Sequence, residues 1–408
     1  MLLTLNSLTA LRVTRAIRSG QVKRGFLRRC DLLGPDLQAS ERWSAKEISK
    51  NLAFLGPAAS FSKQRQLDVL VPEKKLRLQT IGVNSTFRIG TYPPGSFVDL
   101  GNGIAMSGPE LLFTELVRVM DPAVHLLLGM ELCGCFSRDA ENPRGGNVRY
   151  GIPPVTTVDK LRKFAETAHW IRGAERALET IDRIVENAWS PMEAIVAALL
   201  VLPRRDLGYD LWPITLNPRK ELGERLSRLS GADSRVPDIM FSGTNVGLNY
   251  DGEDHFKLDK IAQAAAASAL DPGSSDRACE LEEALSDARA CIVADKRRDR
   301  DLMALGLTVF SITKEDLAER GGFDHVAGQV IEAIERTARR NMAFHRSALD
   351  GGLYAQARQD FIWSLMPGPR AGAARERLEA WKRMEMHEFA IEFEADGGEV
   401  RLVSVREL

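Results

Sequence analysis

Four stretches follow one another in a definite order between residues 190 and 313, and that order constrains the fold more than any single motif. A helix start, Ser190-Pro191-Met192-Glu193, precedes Val236-Pro237-Asp238-Ile239-Met240-Phe241, then Val246-Gly247-Leu248-Asn249-Tyr250-Asp251-Gly252, and later Asp295-Lys296-Arg297-Arg298. Apolar patterning predicts helices over 190–202 and 295–305 and strands near 211–217, 236–241, 245–250 and 307–312. An acid leaving one strand and a second acidic group ending the next is what a divalent-metal site for phosphodiester hydrolysis needs. Hard oxygen ligands must sit on rigid elements while coordination positions stay open for water and phosphate.

This segment resembles the small nuclease-like domain of unknown function related to very short patch repair endonucleases, within the PD-(D/E)xK superfamily. The resemblance rests on the Pro-Asp pair at Asp238, the strand end Asn249 to Gly252, His255 downstream, and Asp295 with Arg298. It implies a restriction-endonuclease-like core of helix, three strands, helix and strand. It also implies magnesium held by Glu193, Asp238 and Asp251, with His255 as an auxiliary group and Arg298 as a phosphate contact. One position departs from the pattern: Asn249 stands where the family usually has Glu, and an amide carries no charge to hold a cation.

The chain has 408 residues and a net charge of -1, enough length for two or three domains but no overall field to attract nucleic acid. Any such binding must come from local patches. Five cysteines, an odd number at irregular spacing, argue against a secreted disulfide framework and for a reducing, cytoplasmic setting. Cys133 and Cys135 lack a second pair at zinc spacing and are expected as packed side chains. The sequence has no apolar run long enough to cross a membrane, so no membrane partner is expected. Arg12, Arg15, Arg18, Lys23, Arg24, Arg28 and Arg29 precede the first acid, Asp31. Leu8, Leu11 and Ile17 interleave with them at helical spacing, so this end is expected to fold rather than to serve as a leader. The face carrying Arg12 and Arg15 is either simply solvated or, if it shares a side with the acidic site, a phosphate-tracking surface.

Helical segments over 5–66 are expected to break at Gly20, Gly34-Pro35 and Gly56-Pro57. Strands follow at Leu67 to Val71, Thr86 to Ile89, Ser96 to Leu100 and Ile104 to Met106, the last two joined by the tight turn Gly101-Asn102-Gly103. Leu8 to Arg12, Val69 to Pro72 and Ser107 to Glu110 together resemble the C-terminal module of AbiEi-type antitoxins of bacterial defence systems. Helices at 109–134 and 156–188 flank a Gly/Pro-rich loop from Asn142 to Pro154 that holds Arg144 and Arg149, with Arg138 just before it.

The expected class is therefore an α+β or α/β multidomain protein. Its divisions are 1–141, an AbiEi-like mixed helix and small-sheet module; 142–188, a linker with connecting helices; 189–335, an endonuclease-like domain with a helical insertion at 256–294; and 336–408, a helical tail ending in a β-hairpin. In that hairpin Phe389, Ile391 and Phe393 alternate before Asp396-Gly397-Gly398, and the alternation slips at Val403.

Two functions stay open. The first is a metal-dependent endonuclease of prokaryotic defence or repair, either active or impaired by Asn249. The second is a non-catalytic nucleic-acid-binding regulator of antitoxin type. The expected partner is nucleic acid, DNA ahead of RNA, with a partner toxin or self-association as further candidates. A helical adaptor with no nucleic-acid role is the third reading.

Overall fold

The computed structural model describes residues 3–22, 29–30, 44–211, 213–252, 258–271, 274–349, 352–386, 389–396 and 399–407. Strands β1 (Leu3–Leu5), β2 (Arg29–Cys30), β3 (Leu67–Val71), β4 (Val83–Phe87), β5 (Phe97–Gly101) and β6 (Ile104–Ser107) form a mixed six-stranded sheet in the order β2-β5-β6-β1-β3-β4. β5 and β6 join through Gly101, Asn102 and Gly103, all at positive φ, a conformation that Gly and Asn reach at low strain. β1 is parallel to β6 and antiparallel to β3, and it sits inside the sheet. Only three residues long, it carries too little pattern to be foreseen from the sequence.

The Ser7–Arg18 helix buries Ala10, Leu11, Val13 and Ala16, and packs against β3 and the Ala53–Ala59 3-10 turn. Its polar Thr9 is satisfied by Asp68 of β3, whose other oxygen accepts from Asn84 Nδ2 at 2.9 Å. The expected helix over 109–134 is two, Pro109–Leu116 and Pro122–Leu132, because Pro122 lacks the N–H a continuing helix would use and Asp121 caps the second one. The helices Val158–Thr167 and Ala174–Ile181 pack back onto this pair. The short ladder β7 (Phe136–Ser137) with β8 (Arg149–Tyr150) closes the Gly/Pro-rich loop.

A second, four-stranded sheet contains β9 (Ile214–Leu216); after the small ladder of β10 (Lys220–Glu221) and β11 (Ser234–Arg235) come β12 (Ile239–Phe241), β13 (Val246–Asp251) and β14 (Thr308–Thr313). Its order is β14-β13-β12-β9, antiparallel except for the parallel pair β13–β14. A parallel pair needs a crossover. Here it is the 30-residue helix Ser275–Ala304, which fuses the C-terminal part of the expected insertion with the expected 295–305 helix. The Leu258–Leu270 helix packs on it. The Pro191–Val201 helix is buried from Glu193 to Val201 and joins the two halves, packing on both Pro122–Leu132 and β9.

Helices Gly322–Ala338, Gly352–Leu365 and Arg370–Met386 complete the core, and one continuous apolar cluster runs from Leu3 to Leu378. The last strands, β15 (Phe389–Asp396) and β16 (Glu399–Glu407), pair as a hairpin. Glu392 faces Ser404 and Phe393 faces Leu402, so Val403 is the extra residue of a bulge. That bulge is the slip in the sequence pattern. The protein is thus a mixed α+β chain, and no helix among the described residues is long and apolar enough to cross a membrane.

Candidate functional site

Register in the second sheet pairs Ile239 with Leu216 on one side and with Leu248 on the other. The next residues outward, Asn217, Asp238 and Asn249, therefore stand side by side at one end of the sheet. The Asn217 N–H donates to the Asp238 carbonyl at 2.8 Å, and the Asp238 N–H donates to Oδ1 of Asn249 at 3.1 Å. Asn249 is 0% exposed and its Nδ2 has no partner. The Asp238 carboxylate accepts from the Tyr250 N–H, at 2.6 Å from Oδ2.

Glu193 reaches this row from the first turn of its helix. Ser190 caps the helix by accepting from the Glu193 N–H at 3.1 Å, and Pro191 occupies the first helical position. The Glu193 carboxylate accepts from the Trp189 N–H and from Asn217 Nδ2, both at 2.9 Å from Oε2. Asn217 therefore ties helix to sheet. Its sequence signal is Asn217-Pro218 directly after a strand, a turn-initiating pair, and it sits at φ 50°.

Burial, and after it the charge of Glu193, pushes the Asp238 carboxyl from 3.8 up to about 7, while the Tyr250 hydrogen bond and Arg298 act the other way. Asp251, two residues along β13 and on the same face as Asn249, accepts from Arg298 Nη2 at 3.1 Å. Arg298 also lies 3.6 Å from Asp295, one helical turn before it. Nε of Arg298 and Oδ2 of Asp295 are buried without partners.

Glu193, Asp238, Tyr250 and Arg298 line a cleft of about 1300 Å³. Arg138, Arg144 and Tyr150 also line it, as do Leu365 and Met366 of the C-terminal part. The structure thus gathers Glu193, Asp238, Asn249, Asp251 and Arg298 at one end of the sheet. His255 lies outside the described residues, as do Lys23, Arg24 and Arg28.

Arg12 and Arg15 lie in a separate groove of about 340 Å³, which meets the cleft at Arg138, Pro143, Arg144 and Leu365. Both have partners inside the protein. Arg12 donates to Thr9 Oγ1 at 2.9 Å and to the Ala58 carbonyl at 3.3 Å. Arg15 grips Glu131 with two bonds, at 3.0 and 2.6 Å. Neither pattern leaves a guanidinium wholly free for phosphate.

The donor set can be tested against a hard cation. Oε1 of Glu193 and Oδ1 of Asp238 have no hydrogen-bond partner among the described residues, and a cation between these carboxylates would relieve the repulsion that raises Asp238. Asp251 is held by Arg298, and the amide oxygen of Asn249 is engaged by the Asp238 N–H. No group of three or more His, Cys, Asp or Glu side chains that could hold a metal ion occurs among the described residues. Two carboxylates fit such an ion; a three-ligand set is not assembled.

Neither a protein-family model, nor a curated protein, nor a solved structure matches the chain.

Proposed function

We propose that the protein is a nucleic-acid phosphodiesterase of the restriction-endonuclease-like type, working with magnesium at Glu193 and Asp238. The observation that carries this reading is the buried carboxylate pair at the end of a mixed sheet, opening into a cleft large enough for a polymer strand. The order of helix 191–201, three antiparallel strands, crossover helix and parallel strand supports the same core. A magnesium ion bound there would supply a water of lowered pKa and offset charge on the phosphorus. Glu193 and Asp238 would hold that ion, with Asp251 as the third candidate ligand. Arg298 orients Asp251 and lines the cleft, so a substrate phosphate entering there competes with the carboxylates for its guanidinium.

A second reading, binding without cutting, is favoured by Asn249. Its amide serves as a cross-link between strands rather than as a ligand, and the site lacks the charge a Glu would bring.

Magnesium-dependent cleavage of duplex and single-stranded DNA and of RNA, by wild type, Asp238→Ala and Asn249→Glu, separates the two. Cleavage by wild type that Asp238→Ala abolishes supports the enzyme. Cutting only by Asn249→Glu, with wild type binding but silent, supports the regulator. Magnesium that neither binds nor promotes cutting in any of the three sinks the metal-site reading.

A further inference from the structure

The same cleft carries a second cluster of charge with the reverse sign. Arg138 is 9% exposed, and its buried Nε and Nη2 have no hydrogen-bond partner among the described residues. The acid nearest to it, Glu131, lies 4.0 Å from Nε and is already held by both bonds of Arg15. Arg18 adds a third guanidinium, donating to the Glu131 carbonyl at 2.8 Å. Arg15 and Arg138 thus share one carboxylate, and Arg18 lies close by on the main chain of the same residue. The neighbouring acids do not make up the difference: Glu141 pairs with Arg65, and Asp139 accepts from Gln21 and two backbone N–H groups.

Arg144 has no hydrogen bond or ion pair among the described residues; burial first, then the charge of Arg375, lowers its pKa, and its own charge acts on Arg138. Arg138 and Arg144 both line the cleft and the adjoining groove, so they flank the passage between the two. A buried cation without a counter-charge is costly, and a bound anion removes that cost.

We propose that Arg138 and Arg144 form an anion subsite that takes a phosphate of a nucleic-acid backbone entering the cleft. This rests on the nucleic-acid reading of the carboxylate site in the same cleft, though not on its ability to cut. Tetrahedral phosphate offers oxygens to two planar guanidiniums at once, a match a point charge cannot make. A cleft of about 1300 Å³ also exceeds the ~300–1,000 Å³ usual for small ligands, which favours a polymer over free phosphate. The first half of the chain thereby supplies substrate contacts, while the carboxylates come from the second.

The test is fluorescence anisotropy with labelled single-stranded DNA, duplex DNA and RNA across a salt series, in EDTA so that neither metal nor cleavage contributes. The full chain is compared with Arg144→Ala, Arg138→Gln and Asp238→Asn, each checked for folding by circular dichroism. Arg144→Ala should weaken binding about tenfold and flatten the slope of log affinity against log salt by about 1, as one lost phosphate contact predicts. Asp238→Asn should bind at least as tightly as wild type. Inorganic phosphate should compete only weakly. Should Arg138→Gln fail to fold, Arg144→Ala decides alone, because the Arg144 side chain has no hydrogen bond or ion pair among the described residues.

An Arg144→Ala protein with wild-type affinity and slope overturns the subsite. So does binding of inorganic phosphate, or of an acidic peptide, that is tight while no nucleic acid binds. Arg144-dependent binding without cleavage by any metal-loaded form leaves the subsite standing and ends the enzyme reading. Cleavage that ignores Arg144 does the opposite.

Discussion

Around Glu131 the guanidiniums of Arg15 and Arg138 gather on one carboxylate and Arg18 on its main-chain carbonyl, whereas around Asp238 the carboxylates of Glu193 and Asp251 gather with one arginine. The first cluster is anchored: burial alone would raise the Glu131 carboxyl, yet Arg15 and Arg138 bring it below its ordinary value. The second is in conflict, since burial and a like charge together hold Asp238 up to about 7. Arg15 is engaged within the fold, whereas Asp238 and Arg138, the latter with two nitrogens unpartnered among the described residues, line the cleft. Such opposition is common where a site is arranged for a ligand rather than for stability.

Breaking the anchored cluster should have the largest effect. Glu131→Gln strips the shared counter-charge from Arg15 and Arg138, and we expect a loss of about 3–5 kcal/mol in urea unfolding at pH 7. An unchanged midpoint would mean that water, not Glu131, balances these arginines.

Breaking the conflicted cluster should do the reverse. A carboxyl raised from 3.8 to about 7 binds a proton in the fold that the unfolded chain has released. It destabilises the fold progressively as pH rises through that window, and the penalty is complete above pH 7. Asp238→Asn, whose amide oxygen can still accept from Tyr250, should therefore gain roughly 2–4 kcal/mol at pH 8 and nothing at pH 3.5. A gain independent of pH would sink this assignment.

The first half of the chain should respond to pH in the opposite direction. Burial first, opposed by the Phe113 carbonyl, lowers His125 from 6.5 to about 4, so its neutral form contributes stability above pH 6.5 that is lost as pH falls toward 4. Hydrogen exchange between pH 5 and pH 8 should show the Tyr250 N–H losing protection and the Pro122–Leu132 helix gaining it. Parallel trends would show that the two halves open as one unit.

Magnesium sharpens the contrast by a smaller step. At ten times its Kd it should raise stability by about 1.4 kcal/mol, read as a rise in Tm, and Asp238→Asn should abolish the rise. The smallest effect expected is that of Lys382→Ala. Its ion pair with Asp121 is half-exposed, and we expect under about 1 kcal/mol, falling further in salt.

Much of the second sheet was legible from the sequence, because its strands are short apolar runs and Ser190-Pro191 is a strong helix start. The alignment of Asp238 with Asn249 was not read from the sequence; it comes from the register that pairs Ile239 with Leu248. What stayed hidden depends on long-range partners. Arg15 finds Glu131 116 residues away, and nothing local marks the two as a pair. Arg138 and Arg144 were visible as basic residues near a glycine-rich loop, but their lack of counter-charge exists only in the folded chain. The 30-residue helix was read as pieces because Asp295-Lys296-Arg297-Arg298 looks like a start, although helix-forming residues run straight into it.

Leu365 and Met366, which also line the cleft, sit near the junction of the Gly352–Leu365 and Arg370–Met386 helices, and Lys382 on the second of these reaches back to Asp121. During synthesis the carboxylate row and the two arginines leave the ribosome long before those helices do. A growing chain therefore carries these parts of the cleft before the residues that complete its lining. Under the proposed function, the full lining of the cleft exists only once these helices have folded.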